Sequence, residues 1–343
     1  MSSPDLLPIG LEDRCERICF VPMSPESYRA STFLDFRAVR RSRDSYLLSI
    51  SELLDLCRSS PSSKHPHYIM HGAFCCSTLL TRYLDLIAPL FVLREPDILR
   101  QVLLLKYPPV SLAAVAPVQD MPYSWETLLR LSVRLLSRTY HARQAPLIKC
   151  NDLCNYLAEA LLGLDERSKL IFVSAKLRVF LLAVLKSSDR RRWVRSRLDS
   201  AVQMSALAAS ILGEKKGAAL SDPQAAALVW LSNVYLCRSL LRNMGKRIRV
   251  LDGDDVANRP REVLSSVADF LDAPLPDDLL EKVLGHGSGS KHAKYLLMSF
   301  DAEQRAQNLS EADSRFGVEA DAGVEWAMQV GSEWISDSPF QLT

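Results

Sequence analysis

Hydrophobic and polar positions alternate in blocks along this chain. Short apolar runs, each closed by polar or small residues, are separated by longer stretches with helical spacing. His67 to Met70 is the first such run, followed by the small-residue turn His71-Gly72-Ala73. Cys75-Cys76-Ser77-Thr78 then opens an amphipathic stretch predicted to be helical to about Ile87. Phe91-Val92-Leu93 is the second strand and ends abruptly in Arg94-Glu95-Pro96. A helical region follows over roughly Trp125 to Tyr140, with Leu128, Leu131, Leu135 and Leu136 on one face. Three more strand-like runs occur at Pro146 to Cys150, Lys169 to Ser174 and Arg247 to Leu251. Helices are predicted between them around Leu153–Leu162, Arg178–Lys186, Arg195–Leu212 and Pro223–Met244. Strands without polar alternation, each followed by a helix, predict an α/β fold whose parallel sheet is covered by helices on both faces.

In such a sheet, ligands bind beyond the carboxyl ends of the strands. Those ends hold Gly72 to Thr78, Arg94-Glu95, Lys149-Cys150-Asn151, Ser174-Ala175-Lys176 and Asp252-Gly253-Asp254-Asp255. Their polarity favours a binding site there. The turn from the first strand into a helix that starts on Ser77-Thr78 is suited to an anion. The first helical N–H groups have no intrahelical partner, and the helix dipole presents its positive end. Gly72, Ala73, Phe74, Cys75, Cys76, Ser77 and Thr78 are therefore predicted to converge on a phosphate or sulfonate, with the Ser77 and Thr78 hydroxyls aimed at it. No lysine lies inside the loop, so it is not the Gly-x-x-x-x-Gly-Lys-Ser/Thr loop of nucleoside-triphosphate binders. An ordinary capped strand-to-helix turn is the alternative.

Residues 1–60 read as an added layer packed on a core of 61–343, with Ile18–Val21 as an edge strand and Ser51–Cys57 as a helix. Residues 58–64 have linker composition. The Gly-rich stretch 285–290 is predicted to act as a lid ahead of Lys291 and Lys294. At 343 residues the chain can bury a large core, and 48% apolar with 24% charged residues is ordinary for a globular protein. The net charge of +2 argues against a polyanion partner, and the basic run 189–197 reads as a solvated helix start rather than a nucleic-acid face. The N-terminus lacks the basic region of a secretory signal, and runs such as Val179–Leu185 are too short to span a bilayer. A cytoplasmic protein with no membrane partner is the expectation. The eight cysteines lack zinc spacing: Cys15/Cys19 and Cys150/Cys154 are helically spaced, and no metal site is expected.

The order of strand, small-residue loop with Ser-Thr, helix, and strand ending in Glu-Pro resembles the sulfotransferase family. So does Arg249-Val250-Leu251-Asp252-Gly253-Asp254-Asp255-Val256, followed by Arg259-Pro260-Arg261-Glu262-Val263-Leu264 and Ala268-Asp269-Phe270-Leu271. The chain resembles bacterial sulfotransferase-like proteins with a Phe-Cys-Cys-Ser-Thr loop, and the resemblance extends from about His67 to Arg305. It implies a P-loop-type sulfotransferase-like fold, 3′-phosphoadenosine 5′-phosphosulfate (PAPS) as nucleotide sulfate donor, an acceptor of unidentified class, and no metal.

By that resemblance Glu95 is the base that removes the acceptor's proton, with His71 as a rival. Pairing of Glu95 with Arg94 or Arg100 is the structural alternative. The family loop carries Lys or Arg where this chain has Phe74, so a cation must arrive from outside residues 72–78. Lys294, Lys291 and Lys149 are the candidates. The family's 3′-phosphate ligands are not reproduced in place, and Ser174, Lys176 and Arg178 are the nearby substitutes. A non-catalytic binding protein of the same fold is the main alternative. A nucleotide-dependent kinase with Asp252 in a Walker B role is a further one.

Overall fold

The computed structural model describes residues 3–35, 37, 44–59, 64–87, 89–108, 121–213, 220–285 and 302–335. Five strands, β4 (His67–His71), β5 (Leu90–Arg94), β6 (Ala145–Lys149), β7 (Leu170–Ser174) and β8 (Ile248–Asp252), form one sheet in the order β5-β6-β4-β7-β8. The ladders of β6 with β4 and with β5 are parallel; Tyr68 pairs with Ile148, and Val92 with Leu147. Every residue of β4, β5 and β7 is buried, which a strand achieves only when helices cover both faces. All five apolar runs thus become strands of a parallel α/β sheet. The chain runs from β4 to the edge strand β5, returns to β6 between the two, and then crosses to the other side of β4 (β7 and β8). The carboxyl end of β4 therefore lies where strand order reverses, the usual ligand position in an open α/β sheet.

The N-terminal region differs from the expectation. Leu6–Glu12 (β1), Arg17–Pro22 (β2) and Tyr46–Ser49 (β3) form an antiparallel sheet in the order β1-β2-β3. Ile18–Val21 is thus in the central strand rather than an edge. The run Leu7 to Gly10 is fully buried, but Pro8 and Gly10 obscured its strand character in the sequence.

Helix limits also shift. The helix after β4 spans Ser77–Leu84, so Cys75 and Cys76 lie in the turn before it. The Trp125–Leu136 helix ends where Ser137 bonds back to the Val133 carbonyl through both its N–H and its hydroxyl. Arg195–Leu212 is two helices, Ser188–Met204 and Ala206–Leu212, broken at Ser205, which caps the second.

Two compact units divide the chain. One comprises Met1–Met70, Thr81–Leu170 and Ser266–Val283. In it β1 packs against helices Asp97–Lys106 and Trp125–Leu136. The other comprises His71–Leu80, Ile171–Ser265 and Leu284–Thr343. Its core is three helices: Leu177–Leu185, Asp222–Met244 and the 34-residue Ala302–Ile335, which packs on both of the others. No helix among the described residues is long and apolar enough to cross a membrane.

Candidate functional site

The loop after β4 leaves the sheet through Gly72, whose N–H donates to the Val173 carbonyl. Phe74 (φ 61°) and Cys76 (φ 58°) both adopt the left-handed conformation, with Ala73 and Cys75 at negative φ beside them. Non-glycine residues rarely hold such φ values, and surrounding contacts must sustain them. A loop of this type can turn successive N–H groups toward an anion. The loop ends directly at the N-terminus of the Ser77–Leu84 helix, so its N–H groups and the positive end of the helix dipole are consecutive in the chain.

Gly253 fixes the loop from outside. A Cβ at this position would lie 2.4 Å from the Cys75 carbonyl oxygen and 2.7 Å from its carbon. The chain leaving β8 therefore passes against the loop backbone at a distance only glycine permits. Asp252 caps the helix that begins there by accepting from the Asp254 N–H at 2.9 Å.

The side chains of the loop serve different ends. The Cys75 sulfur lies 2.7 Å from the Gly72 carbonyl oxygen and is buried. Burial alone would push its pKa up. His71, through hydrogen bonding and charge, and Ser77, through its N–H and hydroxyl, outweigh that and leave it below the ordinary thiol value. The Ser77 hydroxyl is thus turned to Cys75 rather than held open. Cys76 is pushed up to about 11 by burial, against the pull of Arg305. Phe74 packs on Trp193 and Phe180, at ring-centroid distances of 5.3 and 6.1 Å. The Arg190 guanidinium lies over the Phe74 ring at 4.6 Å. The run 189–197 is therefore not a plain solvated helix start: Arg190 covers the loop aromatic, and Arg191 and Arg195 pair with Asp222.

Arg305, on the Ala302–Ile335 helix, ion-pairs with Asp254 at 2.6 Å and lies close enough to Cys76 to act on its thiol. Burial alone would lower the Arg305 pKa, and the neighbouring Cys76 and Asp254 more than offset it. Lys291 and Lys294 lie outside the described residues, as does the Gly-rich stretch 286–290. Ser174 donates to the Ala175 carbonyl, and Lys176 lies in the field of Asp252. Arg178 is taken up by Asp313 (2.7 Å) and Asp321 (2.8 Å), which tie the Ala302–Ile335 helix down.

In the other unit, Glu95 stands just past β5 with φ 53°, a third left-handed non-glycine position among the candidate residues. Its N–H donates to the Lys149 carbonyl at 2.7 Å, its Oε1 accepts from the Lys149 ammonium, and its Oε2 accepts from Asn151 at 3.2 Å. The Lys149 side chain is 1% exposed and that of Glu95 14%. The expected alternative partners are engaged elsewhere. Arg94 binds Asp85 and the carbonyls of Tyr28, Arg29 and Ser31, while Arg100 binds Asp97. Two of the predicted site residues, Glu95 and Lys149, are thus brought together. Among the described residues no group of three His, Cys, Asp or Glu side chains is placed to hold a metal ion.

The chain is similar in fold to solved sulfotransferases. A sulfotransferase domain from the curacin biosynthetic pathway is 16% identical over 75% of this chain and 99% of its own, with a TM-score of 0.40. Sulfotransferase STF1 from Mycobacterium tuberculosis is 12% identical, with 78% and 79% covered and a TM-score of 0.42. Mouse sulfotransferase SULT7A1, solved with PAP, is 12% identical, with 84% and 93% covered and a TM-score of 0.40. No protein-family model matches the chain, and no curated protein matches its sequence.

Arg305 stands beside the candidate loop, and the sequence did not disclose that placement. Nothing in local spacing links it to Cys76, and the long helix that carries it has a buried stripe of small residues: Ala312, Ala320 and Ala327. A stripe of alanines gives little hydrophobic periodicity. The one available signal was the absence of a cation inside the loop, which required a basic residue from elsewhere.

Proposed function

We propose that this protein is a sulfotransferase that takes a sulfuryl group from 3′-phosphoadenosine 5′-phosphosulfate and passes it to an acceptor of unidentified class. The observation that carries this reading is the loop 72–78, with left-handed Phe74 and Cys76 leading into the Ser77–Leu84 helix, and with no lysine of the triphosphate-binding type. Its backbone N–H groups are the ones we assign to the phosphosulfate end of the donor. Lys176 and Ser174 are the groups we assign to the nucleotide end, since Arg178 is committed to Asp313 and Asp321.

The donor supplies an activated sulfuryl group, so the protein's task is positioning and charge stabilisation, as in phosphoryl transfer. Glu95 takes the acceptor's proton as the acceptor atom bonds to sulfur and the sulfur–oxygen bond to the 5′-phosphate breaks. Lys149 and Asn151 hold the Glu95 carboxylate in one orientation, which general-base catalysis requires.

A second reading, an anion-binding protein of the same fold without turnover, is favoured by one specific feature. Phe74 stands where the resemblance expects a cation, and it is packed among Phe180, Trp193 and Arg190. Thermal shift with 3′-phosphoadenosine 5′-phosphate, ATP with magnesium, and sulfate tests donor recognition. A ligand at 100 times its dissociation constant adds about 2.7 kcal/mol. Stabilisation by the bisphosphate alone supports the donor assignment. Stabilisation by ATP with magnesium redirects it to a kinase, and by sulfate alone to plain anion binding. Transfer of labelled sulfuryl groups to an acceptor panel then separates the enzyme from the binding protein.

A further inference from the structure

The geometry points to Arg305 as the loop's working cation, held ready by Asp254 and drawn onto the anion when one binds. This inference rests on the anion site proposed above and adds to it the residue that supplies the missing charge.

The guanidinium is placed by a rigid element. The Ala302–Ile335 helix is buried against Leu177–Leu185 and Asp222–Met244 through Ala312, Ala320 and Ala327. Arg178 clamps it by pairing with both Asp313 and Asp321. Arg305, near its start, meets the loop at Cys76. Asp254, its other partner, directly follows Gly253, the residue pressed against the Cys75 carbonyl. Arg305 is therefore registered to the loop backbone from two sides.

Its surroundings differ from those of a surface ion pair. The Arg305 side chain is 13% exposed and Asp254 20%, so their charges act at short range with little screening. A guanidinium has five N–H donors. Among the described residues Arg305 uses them on Asp254 and Cys76, which leaves donors for an oxyanion. Asp254 cancels the charge while the loop is empty, so the arriving anion competes with a carboxylate for the same guanidinium. A positive charge delivered in this way does what a lysine inside the loop would do.

This assignment predicts effects of opposite sign from the two partners. Calorimetric titration with inorganic pyrophosphate and with 3′-phosphoadenosine 5′-phosphate is the test, on the full chain and its variants. Arg305→Met should weaken both anions by about tenfold to a hundredfold, the range for a charge-assisted hydrogen bond. Arg305→Lys should recover part of that loss, because a point charge replaces a planar fork. Asp254→Asn should tighten both anions by removing the competitor. A purely structural ion pair would instead make Arg305→Met and Asp254→Asn shift affinity in the same direction or leave it unchanged, and either result overturns the inference. If Arg305→Met does not fold, the Lys and Asn variants still give the opposed signs. Should the bisphosphate bind no tighter than pyrophosphate while both follow the Arg305/Asp254 pattern, the donor assignment falls and this inference stands. Bisphosphate binding that ignores Arg305 gives the reverse. Failure of the parent to bind either anion removes both.

Discussion

The Lys149 ammonium and the Glu95 carboxylate form an ion pair at the carboxyl ends of neighbouring strands, with the Glu95 N–H also bonded to the Lys149 carbonyl. Backbone and side chain thus tie the same two residues. Glu95 is held in a left-handed conformation that β-sheet geometry alone would not impose.

Glu95→Gln keeps the shape and the Asn151 contact but removes the proton acceptor. Turnover should fall by roughly 10² or more, the scale of a lost general base, while bisphosphate affinity holds. Retained turnover in steady-state assays would remove Glu95 from the chemistry. Lys149→Met strands a mostly buried carboxylate, so urea unfolding should show a loss of about 3 kcal/mol, at the low end for a broken buried pair because Glu95 keeps some solvent contact.

Gly253→Ala tests how the loop is held. A methyl group 2.4 Å from the Cys75 carbonyl oxygen cannot be accommodated without moving one backbone or the other. The expected cost is about 1–3 kcal/mol in chemical denaturation, with weaker bisphosphate binding as the loop shifts. An alanine variant with parental stability and affinity would show that the close approach is dispensable.

Acid sensitivity should trace in part to His67. Its ring is buried and its Nδ1 accepts the Lys169 N–H at 3.1 Å, and burial brings its pKa down to about 4. Above about pH 6.5 the ring is neutral whether the chain is folded or unfolded, and it contributes no pH dependence. Between about 6.5 and 4 the unfolded ring takes up a proton that the folded ring refuses. Stability therefore drains as pH falls across that window, by about 3 kcal/mol in all, and this contribution levels off below it. His67→Asn, which keeps an acceptor near the Nδ1 position, should flatten that part of the urea-midpoint profile. An unchanged slope would assign the acid sensitivity to other groups.

The sheet was legible because most of its strands are apolar runs closed by small or charged residues, and burial of β4, β5 and β7 on both faces leaves no polar alternation there, although β8 exposes Arg249. The N-terminal sheet was half legible. β2 has the apolar run Ile18–Val21, but β3 exposes Tyr46 and Leu47, and β1 carries Pro8 and Gly10. The long helix Ala302–Ile335 escaped notice because small residues line its buried side. The candidate anion loop was marked in the sequence by Gly72, Ser77 and Thr78. The left-handed turns at Phe74 and Cys76 were not, since neither residue type favours them. Lys149 and Glu95 stood out singly as polar strand ends, whereas their pairing depends on β5 and β6 being neighbours.

The central claim is that residues 72–78 receive the anionic end of a bisphosphate nucleotide. Calorimetric titration of 3′-phosphoadenosine 5′-phosphate into the parent chain and into the Ser77→Ala, Thr78→Ala double variant tests it most directly. The account predicts one site per chain and a loss of about 1.5–3 kcal/mol of binding in the variant, the contribution of one hydrogen bond to a charged group, since the Ser77 hydroxyl is turned to Cys75 and Thr78 is the donor assigned to the anion. No binding by the parent, or equal binding by a folded double variant, would contradict it.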